Sequence, residues 1–282
     1  METGYQIRTM TREDLALAIE WAAAEGWNPG LHDASCFHAA DPDGFLVGVL
    51  DGEPVASISV VKYGTDFGFL GLYIVKPGYR GRGLGLGVWR AGMASLAGRN
   101  VGLDGVIAQQ DNYRKSGFVL AWRNVRQEGT GGGAPVTDNR VVELARVPFA
   151  QVRDYDAAFF PADRTNFLQC WIRQPGCTAL GWQEAGQLQG YGVLRPCRTG
   201  YKVGPLVADN PAIAEQLLLA LKARTAAADK LYLDTPESNP GALALARQHG
   251  MHAVFETARM YTQAAPPLSM GRLYGVTSFE LG

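Results

Sequence analysis

Cysteine is scarce in this chain: Cys36, Cys170, Cys177 and Cys197 are the only four in 282 residues, and no two form a Cys-x-x-Cys pair. That pattern argues against a thiolate zinc site or a disulfide framework, so a reducing cytoplasm is the expected setting. An excess of one charge is missing too. There are 26 Lys and Arg against 27 Asp and Glu, a net charge of −1. A nucleic-acid surface needs clustered basic excess, so no nucleic-acid partner is expected. No apolar run reaches the roughly 18 residues of a membrane helix, and Met1 to Arg12 lacks the apolar stretch of a signal peptide. No membrane partner is expected either. Two common phosphate loops are also absent. No Gly-Lys-Ser/Thr triplet closes a Walker A loop, and Leu86 and Val88 stand where a G-x-G-x-x-G fingerprint would need glycine.

What the chain does have is apolar residues (47%) and glycine (35 residues), enough for a sizeable core. Its length suggests two domains of about 140 residues each. Tyr5 to Met10 reads as a strand. Thr11 with Asp14 three residues on reads as a capping box, opening a helix in which Leu15, Ile19, Ala22 and Ala23 repeat at helical spacing. A second short helix is expected from Asp33 to Ala40. Phe45–Leu50 and Pro54–Tyr63 flank the Asp51-Gly52 turn as a hairpin, and Phe67–Val75 is a third strand. Leu86–Ala97 should be a helix, Val101–Ala108 a buried strand, Asn112–Ser116 a short helix, and Phe118–Gln127 a strand. The order is β-α-α-β-β-β-α-β-α-β. Gly129–Gly133 marks the expected boundary, which gives domains 1–128 and 140–282 joined by a glycine-rich linker, 129–139. Beyond it the same order returns, ending in a helix over Gly241–Gln248 and a strand over Val254–Tyr261. This reads as a tandem duplication of one α/β fold with a mixed sheet.

The segment Val75-Lys-Pro-Gly-Tyr-Arg80-Gly81-Arg82-Gly83-Leu84-Gly85 carries the chemistry. It joins an apolar strand to an amphipathic helix, where main-chain N–H groups converge and the helix dipole favours an anion. Alternate glycines let an oxygen approach the backbone closely, and Arg80 and Arg82 add positive charge at the rim.

Arg80-x-x-Gly83-x-Gly85 resembles the R/Q-x-x-G-x-G/A signature of the GNAT superfamily of acyl-CoA N-acyltransferases, and the element order is the one that fold uses. The resemblance covers Tyr5 to about Gln127 by motif and Val141 to Tyr261 by topology. The whole chain also resembles a two-domain bacterial subgroup ending in an Arg-Met-Tyr segment, here Arg259-Met260-Tyr261, and a Phe-Glu-Leu-Gly tail, here Phe279 to Gly282. The resemblance implies acetyl-CoA as cosubstrate, its pyrophosphate on the amides of Arg80, Gly81, Arg82, Gly83, Leu84 and Gly85, and its pantetheine arm along Ile74 and Val75. Tyr113-x-x-x-Gly117-Phe118 is similar to the family's Tyr-x-x-x-Gly-Phe segment, which implies Tyr113 as the general acid toward the leaving thiolate. Val106 stands where the family often has Asn, so the connection around Gln109, Gln110 and Asn112 is reshaped.

The base that deprotonates the amine is not named by the sequence; Asp33, His32 and a water chain are candidates. The segment between the first two helices borders the acceptor pocket in this fold, and Trp27, Asn28 and Asp33 there could hold a small cationic amine. Equally, Trp27 could plug the core and Asn28-Pro29-Gly30 be only a turn. His249 and His252 lack a third ligand nearby, so no metal is expected. The second half has Ala208-Asp209-Asn210-Pro211 in place of the loop, and Asp209 would repel a pyrophosphate. That half is expected to have lost cofactor binding and to shape the acceptor side of the first. The expected activity is direct transfer of acetyl from acetyl-CoA to a small-molecule primary amine in a ternary complex, by a monomer or homodimer. Two alternatives stay open, a protein or peptide N-acetyltransferase and a non-catalytic acyl-CoA sensor.

Overall fold

A computed structural model describes residues 2–282. In chain order the first half comprises β1 (Tyr5–Thr9), α1 (Arg12–Ala24), α2 (Asp33–Ala40), β2 (Phe45–Leu50), β3 (Glu53–Tyr63), β4 (Phe67–Val75), α3 (Leu84–Ser95), β5 (Asn100–Val106), α4 (Gln110–Lys115) and β6 (Val119–Thr130). The second repeats that order: β7 (Val141–Glu143), α5 (Phe149–Asp156), α6 (Thr165–Trp171), β8 (Thr178–Glu184), β9 (Gln187–Pro196), β10 (Tyr201–Ala208), α7 (Pro211–Lys222), β11 (Lys230–Pro236), α8 (Pro240–Gln248) and β12 (His252–Tyr261). One further strand, β13 (Leu273–Gly275), follows. The predicted capping box is present: Thr11 Oγ1 accepts from Asp14 N–H, and the Asp14 carboxylate accepts from Thr11 N–H at 2.8 Å.

All the strands belong to a single sheet, ordered β1-β2-β3-β4-β5-β12-β6-β11-β10-β9-β8-β7, with β13 on β10. The last strand of each half is therefore exchanged. β12, from the second half, pairs with β5 from Tyr261↔Gly102 to Thr257↔Val106, while β6, from the first, pairs with β11 from Thr130↔Lys230 to Pro236↔Asn124. The two exchanged strands pair with each other at the centre of the sheet.

This rearranges the expected boundary. Gly129 and Thr130 complete β6 instead of opening a linker, and Gly131 N–H donates to Asp229 O at 2.8 Å. Gly131 is buried, and a Cβ there would lie 2.1 Å from Thr225 Oγ1. Sequence periodicity reports each strand's length and faces but not its partner, so the exchange leaves no mark in the pattern.

The core is shared as well. Phe37 on α2 stacks on Trp171 of α6 at 6.3 Å, and the cluster around them draws Leu15, Ile19 and Phe45 from one half and Phe167, Tyr191 and Val193 from the other. On the opposite face α3 packs Val88 and Trp89 against Ile58, Val60 and Leu103.

Candidate active site

The loop after β4 ends in Gly83, which adopts φ +79° as the N-cap of α3 and offers no side chain to its amides. The helix starts two residues earlier than the periodicity predicts because this left-handed glycine already turns the chain inward. Between Gly81 and Leu86 no main-chain N–H meets a protein acceptor among the described residues; bonding resumes at Gly87, which donates to Gly83 O at 3.2 Å. Six successive amides thus stand free at a helix N-terminus, the arrangement that holds anions. The Arg80 amide is not one of them, since it turns back to Pro77 O at 3.4 Å.

The three glycines divide their work. Gly81 (φ +77°) and Gly83 need the left-handed conformation and have open space around them. Gly85 instead lets α3 close on β4, because a Cβ there would lie 2.8 Å from both the Tyr73 hydroxyl and Val75 Cγ2. The arginines do not stand free at the rim. Arg80 pairs with Glu25 and donates through Nε to Val75 O at 2.8 Å, while Arg82 pairs with Glu2 and lies over the Tyr79 ring. Such exposed pairs are worth little and can exchange for a phosphate.

Beside the loop the sheet opens. β4 and β5 pair in parallel only from Phe67↔Asn100 to Leu70↔Leu103, and β4 then continues to Val75 bonded to β3 but not to β5. A bulge in β4 opposite β3 directs the departure: the register shifts between Ser57 and Ser59, Leu72 takes φ +46°, and Ser57 Oγ holds Leu72 O at 2.7 Å. A non-glycine residue at that φ is uncommon and marks a place where the backbone is held for a purpose.

The opening forms a cavity of about 480 Å³, within the range of small-molecule sites. Ile74, Val75, Arg80, Gly81, Gly83, Leu84 and Gly85 line it, and so does Tyr113. Arg82 lies outside it. The Tyr113 ring lies flat on Gly105, where a Cβ would be 2.2 Å from its Cε2, and stacks on Trp89 at 5.7 Å. Burial, with a smaller effect of Tyr73, pushes its pKa up to about 12, so the hydroxyl keeps its proton at neutral pH.

The expected acceptor residues separate. Trp27 does line the cavity. Asn28 is turned away, clasping Thr199 of the other half through bonds of 3.0 and 2.9 Å. Asp33 is fully buried and binds Arg195 Nε at 2.9 Å and the Gly30 amide at 2.8 Å. It serves the joint between halves, not the pocket, because a lone buried guanidinium would be far costlier than the pair.

The remaining wall comes from residues that sequence reasoning missed. Phe255 and Thr257 arrive on the exchanged strand β12, and Phe279 and Glu280 on the C-terminal tail. The tail crosses β4 at Gly71, where a Cβ would meet Glu280 O at 2.3 Å, and ends with Arg164 donating to Gly282 O at 3.2 Å. Asp104 also faces the cavity but is saturated by Asn124 and a two-point pair with Arg259, at 2.9 and 2.6 Å.

The second half keeps the architecture and closes the equivalent site. β10 and β11 pair only from Tyr201↔Leu231 to Val203↔Leu233 before separating. Into that opening runs β13, bonded to β10, while Val276 N–H donates to Asp234 O of β11 at 2.8 Å. The N-terminus of α7 is capped by Asn210 Oδ1 on Ile213 N–H at 3.0 Å, with Pro211 in the first turn, and Asp209 is engaged by Tyr155 and Arg272. Among the described residues no group of three His, Cys, Asp or Glu could hold a metal; His249 lies by Glu215 at 3.2 Å. Among the described residues no helix is long and apolar enough to cross a membrane.

Comparison with known proteins agrees with this architecture. Residues 9–119 match the acetyltransferase (GNAT) family, and residues 152–275 match an acetyltransferase (GNAT) domain. The chain is 30% identical over 270 residues to the holothin acyltransferase of Pseudoalteromonas sp. strain SANK 73390, covering 96% of this chain and 92% of that one. It is 26% identical over 239 residues to the uncharacterized N-acetyltransferase YitH of Bacillus subtilis, covering 83% of each. Among solved structures, a candidate acetyltransferase of Pyrococcus horikoshii superposes with TM-score 0.83 at 27% identity, over 100% of this chain and 97% of that one. A tandem GNAT protein from the clavulanic acid biosynthesis pathway shares the fold, with TM-score 0.63 at 13% identity over 93% and 99%. The chain belongs to the GNAT family of acyltransferases, which use acyl-CoA, and is a tandem member of it.

Proposed function

We propose that the chain transfers an acetyl group from acetyl-CoA to the primary amine of a small molecule, directly, within a ternary complex. The observation that carries this reading is the row of unpaired amides from Gly81 to Leu86 opening into the β4–β5 cleft. In this reading Gly81 to Gly85 hold the pyrophosphate, Ile74 and Val75 guide the pantetheine arm, and Tyr113 donates to the leaving sulfur. Burial raises the phenol pKa, and the same burial disfavours a free thiolate, so the two groups move together. The Asp209–Asn210 turn and β13 argue that the second half takes no cofactor and serves the first.

A small acceptor fits better than a peptide because Phe255, Phe279 and Glu280 join the loop in bounding a cavity of only about 480 Å³. The relative named for holothin supports the same class.

The test is an acceptor screen with acetyl-CoA across polyamines, amino acids, aminoglycosides, aromatic amines and peptides, read as free thiol release. Transfer only to peptides would replace this reading with the protein-acetylating one. Binding of CoA with no release on any acceptor would favour a sensor. Tyr113→Phe should lower kcat about 100-fold while leaving CoA affinity within twofold by titration calorimetry.

A further inference from the structure

We propose that Glu280, on the C-terminal tail, is the proton acceptor for the incoming amine and the anchor of its ammonium group. This rests on the acyl-transfer reading above.

The position follows from β4. The Glu280 backbone crosses the strand at Gly71, four residues before Val75 and on the far side of the Leu72 bulge from the phosphate loop, and Glu280 lines the cavity. An amine entering there meets three aromatic walls, Trp27, Phe255 and Phe279, and two carboxylates, Asp104 and Glu280. Asp104 is committed to Arg259 and Asn124. Glu280 is not committed: its Oε2 is buried with no hydrogen-bond partner, although the residue is only 4% exposed. A buried carboxylate oxygen without a donor is costly, and a structural role would have supplied one.

The charges around Glu280 come from several elements. Burial disfavours its ionised form most; Lys202 on β10 favours that form, Asp33 on α2 opposes it, and Arg126 on β6 and Arg195 on β9 favour it more weakly, being paired with Asp234 on β11 and with Asp33. Burial outweighs the cations and holds the carboxyl above its ordinary range, which suits a base working near neutral pH.

The protons balance. The ammonium gives one proton to the Glu280 carboxylate, and the neutral nitrogen forms the C–N bond as the C–S bond breaks. The departing sulfur takes the Tyr113 proton, the tyrosinate recovers the second nitrogen proton, and Glu280 returns its proton to water. The aromatic walls select an amine on a flat, apolar body carrying one positive charge.

The experiment is a pH–rate profile of wild type and Glu280→Gln on amines of graded pKa, alongside CoA titration and thermal melting. The wild type should lose activity as pH falls through a carboxylate pKa above the ordinary range. E280Q should lose at least about 100-fold in kcat at pH 7, keep CoA affinity, and recover with rising pH as the amine loses its own proton, sooner for amines of low pKa. A uniform loss at every pH and for every amine would mean a structural role and overturn the proposal. So would E280Q turning over within threefold of wild type, an outcome that leaves the acyltransferase reading intact. If the wild type transfers to no amine, that reading fails and this one with it. Should E280Q melt early, Glu280→Asp carries the test: it should keep the acidic limb with kcat roughly tenfold lower, and an unchanged kcat would overturn the assignment.

Discussion

At the scale of single residues, the cavity depends on what is left out as much as on what is present. Gly105 on β5 has no Cβ, and the Tyr113 ring lies in the space that atom would take, held from the other side by Trp89. Gly105→Ala should therefore tilt the phenol. The expected result is a loss of kcat approaching that of Tyr113→Phe, with about 1–3 kcal/mol of destabilisation from overpacking, checked by steady-state kinetics and urea unfolding. An unchanged kcat would mean that the ring position is unimportant to turnover. Tyr113 and the glycines of the loop were legible in the sequence because spacing within one segment carries them. Asp33 and Asn28 were misassigned for the opposite reason. A carboxylate and an amide on a turn look alike whether they face a ligand or another domain, and only the fold puts Arg195 and Thr199 beside them.

At the scale of elements, the two halves place the same strand–turn–helix unit to different ends. In the first, Gly83 precedes α3 and leaves the amides free; in the second, Asn210 and Pro211 satisfy or remove them. Gly83→Ala would force an alanine into φ +79°, at about 1–2 kcal/mol, and put a methyl group where an oxygen should approach. Acyl-CoA affinity should fall about tenfold or more in isothermal titration, while Asn210→Ala should cost about 1 kcal/mol of stability and leave that affinity alone. Equal effects on affinity from both substitutions would remove the distinction drawn here. The turn chemistry of both loops was readable in advance. The use of β13 to fill the second opening was not, because three residues, Leu273 to Gly275, make no periodic signal.

At the scale of the whole molecule, strand exchange makes the halves interdependent. β5 meets β12, β11 meets β6, and the buried pairs Asp33–Arg195 and Arg126–Asp234 cross the joint. Removing one member of such a pair typically costs 3–5 kcal/mol. Residues 1–139 or 140–282 expressed alone would each present unpaired strand edges at β5 and β6, or at β11 and β12, which invite association. Each half alone should aggregate or remain unfolded, and co-expression should restore a soluble complex with CoA binding, as judged by size-exclusion chromatography. A monomeric, folded half would contradict the interdependence.

The sequence by itself determined the element order, the tandem repeat and the glycine-bearing turn into α3, because each is a local pattern of propensity, periodicity and glycine placement. Only the tertiary structure decided which strands pair, that the second opening is filled by the chain itself, and that Phe255, Phe279 and Glu280 join the lining of the cavity. Those are contacts between residues far apart in the chain, from 42 positions for Val276 on Asp234 to 209 for Glu280 on Gly71, and burial against a distant partner leaves no trace in the spacing of either one.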